Sequence, residues 1–266
     1  SGTEKLSIRQ IFDGSTTPIQ IRGDSPTQDY AVRRILLAVF WRAHQGAAAD
    51  SRSWEEWFIA KRQELVEDGH DNAVLEYLDK YQHRFDLLDP TEPFMQVATL
   101  DTTKATRQPV SRILPDSEQD YFTMRTHEGR QSLAFDEAAR WLIHTQAYDY
   151  SGIKSGAIGD PRVKGGKGYP IGTGWSGMTG GTTIHGRSLL ETLLLNTPEK
   201  VLSPSSADDL PVWERAADSS AQRNDRAGKL AKPEAPQPEG AADLATWQSR
   251  RIRLFAEEDR VVAVLV

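Results

Sequence analysis

Between Ser151 and Arg187 the chain carries twelve of its twenty glycines. Glycine opens positive φ and lets a backbone approach its neighbour closely, but it weakens the interior of a helix or strand by roughly 0.5–1 kcal/mol relative to alanine. The segment is therefore expected to be loop, shaped by turns. It runs Ser151-Gly-Ile-Lys-Ser-Gly-Ala-Ile-Gly-Asp-Pro-Arg-Val-Lys-Gly-Gly-Lys-Gly-Tyr-Pro170, then Ile171-Gly-Thr-Gly-Trp-Ser-Gly-Met-Thr-Gly-Gly-Thr-Thr-Ile-His-Gly-Arg187. Lys154, Arg162, Lys164, Lys167 and Arg187 stand against Asp160 alone, a local +4 that leaves −10 for the rest of a chain whose net charge is −6. Proteins that bind nucleic acid by themselves are usually basic, so any such contact is confined to this segment. Backbone amides freed by glycine, flanked by lysine and arginine, suit an anionic polymer or a nucleotide. A structural loop with no ligand is the other reading.

The remainder reads as a helix-rich α+β chain. Its 266 residues suffice for one large domain or two smaller ones. Leu6 to Phe12 alternates like a short strand. Ser25 and Gln28 form a capping box with Pro26 at the first helical position, and Ala31, Val32, Ile35, Leu36, Val39 and Phe40 follow at helical spacing until Gly46. Ser53 and Glu56 open a second helix with Trp54, Trp57, Phe58 and Leu65 as core. A third carries Val74, Leu75, Leu78 and Tyr81. After a proline-scattered stretch with short strand-like pieces, Phe135 to Gln146 is amphipathic, and Ser188 with Glu191 caps a helix through Leu195. Residues 203–240 are polar and rich in Pro, Ala and Ser, and Lys232–Glu239 is expected to be extended or disordered. Arg250, Arg251 and Arg253 alternate with Ile252 and Leu254, which predicts a strand with a basic outer face, solvated or, as the alternative, an anion-binding edge. Val261–Val266 reads as a strand that needs a paired neighbour and a covered face. The predicted architecture is one globular domain, 1–266, with small, mostly antiparallel sheets, long glycine-rich loops and a flexible insert at 203–240.

The sequence offers no membrane span, since no apolar run nears about 18 residues. Ser1–Lys5 lacks the basic and apolar parts of a signal peptide, and cysteine is absent. Both fit a cytoplasmic protein. Nucleotide motifs fail on context. Gly172-Thr-Gly-Trp-Ser-Gly177 matches G-x-G-x-x-G but follows no apolar strand and opens no helix. Lys167 is followed by Gly168, not by Ser or Thr. Met178 breaks G-x-S-x-G around Ser176. The six histidines show no metal spacing, and His144 falls on the polar flank of its helix. Neither metal, cofactor nor catalysis is expected.

Lys164-Gly-Gly-Lys-Gly-Tyr-Pro-Ile-Gly-Thr-Gly-Trp175 and Trp247-Gln-Ser-Arg-Arg-Ile-Arg-Leu254, with Glu92-Pro-Phe-Met-Gln96 and the Thr27-Gln-Asp-Tyr-Ala-Val32 helix start, resemble the CasA family, the large subunit of type I-E CRISPR Cascade complexes. The resemblance covers nearly all of the chain except 203–240. It implies an amino-terminal piece, because the family's opening acidic-Pro-Trp-Ile-Pro strand and carboxy-terminal helical bundle have no counterpart here. It also implies a role in recognising the protospacer-adjacent motif (PAM) of duplex DNA, beside the guide RNA 5′ handle and other Cascade subunits, and in docking the helicase-nuclease. Base pairing with the guide reads the remaining sequence. By the same resemblance, a glycine loop for the DNA minor groove maps to Lys164, Gly165, Gly166, Lys167 and Gly168, with Gly172 and Gly174 as further DNA-binding candidates. A second loop near the guide's 5′ end maps between Pro115 and Gly129. A phosphate- or nucleotide-binding enzyme and a purely structural scaffold subunit are the alternatives.

Overall fold

The computed structural model describes every residue except 1, 105, 118–122, 126, 162, 169–173, 205 and 221–237. Among the described residues the helices are α1 (Ile8–Phe12), α2 (Pro26–Ala43), α3 (Ser51–Glu67), α4 (Asn72–Tyr81), α5 (His127–Gln131), α6 (Phe135–Tyr148), α7 (Leu189–Leu195), α8 (Glu199–Leu202) and α9 (Ala241–Ala245). The strands are β1 (Gln108–Pro109), β2 (Leu133–Ala134), β3 (Arg253–Glu257) and β4 (Arg260–Leu265). The chain divides into two compact units, each assembled from three segments: Ser1–Gln82, Gly181–Pro211 and Pro238–Thr246 in the first, and His83–Gly180, Val212–Gln237 and Trp247–Val266 in the second.

The first unit is helical. Its α2 starts as the sequence predicts, with the Ser25 hydroxyl accepting from the Gln28 N–H (3.2 Å) and Pro26 at the first helical position. The Gln28 side chain, however, accepts from the N–H of Asp24 (2.9 Å), not from Ser25. One face of α2 buries Ile35, Leu36, Val39 and Phe40. In α3 the cap is Asp50, and Ser53 is the third helical residue, closing a reciprocal box with it. A carboxylate is a stronger acceptor at the positive end of a helix than a hydroxyl, which moves the start ahead of Ser53. Trp54, Trp57 and Phe58 are only half-buried. The stretch predicted as a strand at Leu6–Phe12 is instead α1. Ser7 and Gln10 form a reciprocal capping box there (2.9 and 3.2 Å), and Ile11 and Phe12, adjacent on a helix, both turn inward. In α7 the predicted Ser188 cap is present, accepting from the Glu191 N–H (3.1 Å).

The second unit is built around β4, which is paired along both edges. β3 runs antiparallel along one, from Arg253↔Leu265 to Glu257↔Arg260, with a one-residue register shift between Phe255 and Ala256. β1 (Gln108↔Val264) and β2 (Leu133↔Val261) follow one another along the other. This supplies the neighbours that so apolar a strand requires. Helix α6 is buried over Trp141–Ala147, polar residues included. His144 is therefore not on a solvated flank: it stacks on Tyr148 and meets Trp141 edge-on, both at 5.2 Å. Part of the expected flexible insert is also packed. Trp213 is fully buried against Phe85 (4.9 Å) and Phe94 (6.5 Å), and Arg84 donates to the carbonyls of Trp213 (3.2 Å) and Arg215 (2.8 Å). The large indole outweighs the polar composition around it. Within the first unit Leu210 is buried too, and buried Asp209 accepts from the Asp243 N–H (2.9 Å). Most of Lys232–Glu239 lies outside the described residues.

Candidate nucleic-acid interface

The glycine-rich segment folds into a hairpin. Lys164 and Lys167 exchange two backbone hydrogen bonds, each 3.2 Å, and the two residues between them, Gly165 (φ 59°) and Gly166 (φ 72°), both have positive φ. A two-residue hairpin loop with positive φ at both positions is a type I′ turn, which strongly favours glycine. A Cβ on Gly165 would meet nothing within 4 Å, so the tip is open. A Cβ on Gly166 would come within 3.2 Å of the Thr103 hydroxyl. Lys164 and Lys167 are exposed on either side.

The hairpin is laid onto residues 154–158. Gly156 N–H donates to the Gly166 carbonyl (3.0 Å), and Gly168 N–H donates to the Lys154 carbonyl (2.8 Å). Further along, Thr103 N–H donates to Gly156 (3.3 Å) and Ile158 N–H to Asp101 (2.9 Å). Ala157 seats this ladder in a small core with Val97, Leu100 and Leu265, against which Phe255 packs. Gly156 has no room for a side chain: a Cβ would lie 2.5 Å from Val163.

A charged hub fixes the base of the ladder. The Asp149 carboxylate, at the carboxy-terminal end of α6, meets Arg250 (2.5 Å), Lys154 (2.9 Å) and Arg112 (2.9 Å). Lys154 and Arg112 also sit over the Tyr150 ring, at 4.1 and 4.9 Å. Burial opposes ionisation of Asp149, but the hydrogen bond from Lys154 and the charges of Arg112 and Arg250 outweigh it and hold the carboxyl below the ordinary carboxylate range. Burial pushes Lys154 down, with Asp149 opposing. His144, nearby on α6, is pushed down to about 4 by burial, only partly countered by Asp149. Asp160, the one acid of the glycine-rich segment, is paired with Arg251 (2.6 Å).

With this geometry in hand, the chain can be set beside known proteins. The model of the family "CRISPR-associated protein Cse1" matches residues 1–266. The chain belongs to the Cse1 family. The crystal structure of Thermobifida fusca Cse1 is 42% identical, superposes with a TM-score of 0.82, and is matched over 99% of this chain and 48% of that one. The CRISPR-associated protein CasA/Cse1 of Thermus thermophilus is 28% identical over 254 residues, 91% of this chain and 43% of its own length. A chain of a CRISPR RNA-guided surveillance complex in a pre-nicking state shares the fold at 21% identity, with a TM-score of 0.70 over 98% of this chain and 50% of that one. The chain thus spans about half the length of these relatives.

The residues expected to contact DNA separate into distinct roles. Lys164, Gly165, Gly166 and Lys167 come together at the hairpin tip. Gly168 lies within the ladder and lacks the positive φ that would demand glycine, although a Cβ there would press to 3.3 Å on the Lys154 carbonyl. Gly174 is not an available amide: it is buried, its N–H is given to the Asp149 carbonyl (3.0 Å), and a Cβ would lie 2.4 Å from the Ala147 carbonyl. It serves the close approach of the chain to the end of α6. Gly172 lies outside the described residues, as does part of the second loop, whose described part includes the wholly exposed Met124. Arg250, expected on a solvated strand face, is buried in the hub, because β3 begins only at Arg253 and the chain before it turns toward Asp149. The sequence reading missed Asp149 and Arg112 altogether. Asp149 meets Arg250 across a separation of 101 residues, and no local pattern signals such a pairing. Among the described residues there is no cluster of three or more potential metal ligands, and no helix long and apolar enough to cross a membrane.

Proposed function

We propose that this chain is the part of the large subunit of a type I-E Cascade complex that meets the PAM in duplex DNA, acting by binding and not by catalysis, in the cytoplasm. In this reading the Gly165–Gly166 tip enters the minor groove, and Lys164 and Lys167 neutralise flanking phosphates. The single observation that carries it is the open type I′ tip with glycine at both turn positions and an exposed lysine on each side. The minor groove is only about 6 Å wide, and a backbone without side chains is the narrowest probe a protein can present. Its base-edge code is degenerate, which suits a reader that tolerates more than one motif. Membership of the Cse1 family, and a fold shared with a chain of an RNA-guided surveillance complex, support the setting: other Cascade subunits, the guide RNA 5′ handle and a docked helicase-nuclease.

The test uses the complex assembled around the full-length subunit. Gly166→Val forces a β-branched side chain into positive φ and toward Thr103, and is expected to weaken duplex binding strongly while thermal melting stays close to wild type. Lys164→Ala and Lys167→Ala are expected to weaken all sequences alike, each lowering the log-affinity against log-salt slope by about 0.9. Equal affinity of wild type and Gly166→Val for a PAM library would sink the reading in favour of a scaffold. Nucleotide hydrolysis abolished by Lys167→Ala would favour an enzyme.

A further inference from the structure

The ladder brings a second cationic segment to the hairpin. Residues 101–103 pair with 154–158 directly beyond the stretch that holds the hairpin, and Thr103 is the nearest neighbour to the place a Gly166 side chain would occupy. The chain leaves this pairing through Lys104 and Arg107, both exposed. Two contacts fix their course. The Thr106 hydroxyl donates to the Lys104 carbonyl (2.9 Å). The Arg107 guanidinium lies 4.0 Å from the centre of the Phe255 ring, and Phe255 packs against the same small core that seats Ala157. Arg107 is thus fastened to the layer that carries the glycine ladder while its charge faces water. Of the two acids close by, Asp160 is paired with Arg251 (2.6 Å), while Asp101 accepts from the Thr102 N–H (2.8 Å) and keeps its charge, leaving Lys104 and Arg107 in excess over it within their own segment.

We propose that Lys104 and Arg107 form a second phosphate-contacting segment, which with Lys164 and Lys167 makes a track for the sugar-phosphate backbone of duplex DNA beside the hairpin tip. The proposal rests on the hairpin being the part that meets DNA, and extends it. A tip that reaches a groove floor passes between two phosphate-lined walls. Two lysines at the tip reach only the phosphates next to it; a second cationic segment adjoining the tip serves more of the backbone. Phosphate contacts fix register and orientation without carrying sequence information, so these residues position the tip and do not choose the motif.

The experiment measures duplex affinity of the assembled complex from 50 to 200 mM salt for Lys104→Gln, Arg107→Gln, their double variant and Arg107→Lys. Each glutamine substitution is expected to lower the magnitude of the salt slope by about 0.9, and the double variant by about twice that, equally for duplexes with strong and weak PAMs. Arg107→Lys keeps the charge over Phe255 and is expected to keep the slope, which separates charge from packing. An unchanged slope in the double variant, in a complex whose binding Gly166→Val abolishes, overturns the proposal and leaves the hairpin reading intact. A lowered slope together with normal binding by Gly166→Val upholds the phosphate contacts and removes the tip from the groove. Impaired assembly on guide RNA with an unchanged DNA slope assigns the two cations to RNA and also overturns the proposal.

Discussion

Replacing Asp149 by Asn removes the one negative charge from among three positive ones. The shape of the side chain and one acceptor oxygen survive. What is lost is the attraction that holds Arg250, Lys154 and Arg112, whose side chains are only 1%, 10% and 9% exposed. Three largely desolvated cations are left around a neutral amide, and at least one of them faces its N–H₂ group. Removing one partner of a buried ion pair typically destabilises by about 3–5 kcal/mol. At about 2–4 °C per kcal/mol for a chain of this size, Asp149→Asn should melt roughly 10 °C below wild type at pH 7. The pH dependence has a definite sign. The folded-state pKa of Asp149 is depressed, so its contribution is fully present above the unfolded value of about 3.9 and is lost as pH falls through the folded value. The gap between wild type and variant should therefore be constant near neutrality and close in acid. Lys154 also supplies the carbonyl that receives the Gly168 N–H, so the variant should exchange that amide faster. Thermal and urea melts from pH 7 down to pH 3, with amide exchange at Gly168, measure all three. A variant that melts within a degree or two of wild type at pH 7, or a gap that does not begin to narrow as pH falls below about 4, would refute the idea that this charge holds the base of the ladder.

Two other outcomes follow from buried side chains. His144, pushed down to about 4, binds fewer protons folded than unfolded between pH 4 and about 6.5, so stability should fall as pH drops through that window; His144→Phe, which keeps a ring against Tyr148 and Trp141, should flatten the slope, and an unaltered slope would place its origin elsewhere. Trp213→Ala removes the indole packed against the stacked rings of Phe85 and Phe94, and should cost about 3–5 kcal/mol in a urea melt; a loss under about 1 kcal/mol would mean that residues 212–215 are not part of the core.

The sequence announced what local chemistry controls. The starts of α2 and α7 were legible because Ser25 and Ser188 cap their own helices, and β4 because an apolar run has few other uses. Helix α1 was misread because its few residues fit alternation as well as helical spacing; only the Ser7–Gln10 pair distinguished them. The start of α3 was misplaced because Asp50 and Ser53 are both good caps three residues apart. At the candidate site, the sequence marked the lysine-flanked glycine run as a loop, but the type I′ turn at Gly165–Gly166 emerged only with the backbone geometry. The different duties of Gly166 and Gly174 were not legible either, because each is defined by a residue far along the chain, Thr103 and Ala147. The partners of Arg250 and the arrival of Lys104 and Arg107 beside the hairpin likewise depend on long-range pairing.

The interleaving of the two units has a consequence for the order in which the chain acquires structure. Neither unit is a continuous stretch: the first needs residues from 1 to 246, the second from 83 to 266. In the second, the strand at the middle of the sheet is the last of its strands to be synthesised, and one of its edges is filled by residues more than a hundred positions earlier, at Gln108 and Leu133. Pairings so distant in sequence close slowly, because the loop entropy is lost before any contact rewards it. A ribosome that has released the glycine hairpin has not yet released β4, so the hairpin has no sheet to rest on until translation has passed residue 265. Removing β4 alone is expected to take away the support of a loop about a hundred residues upstream.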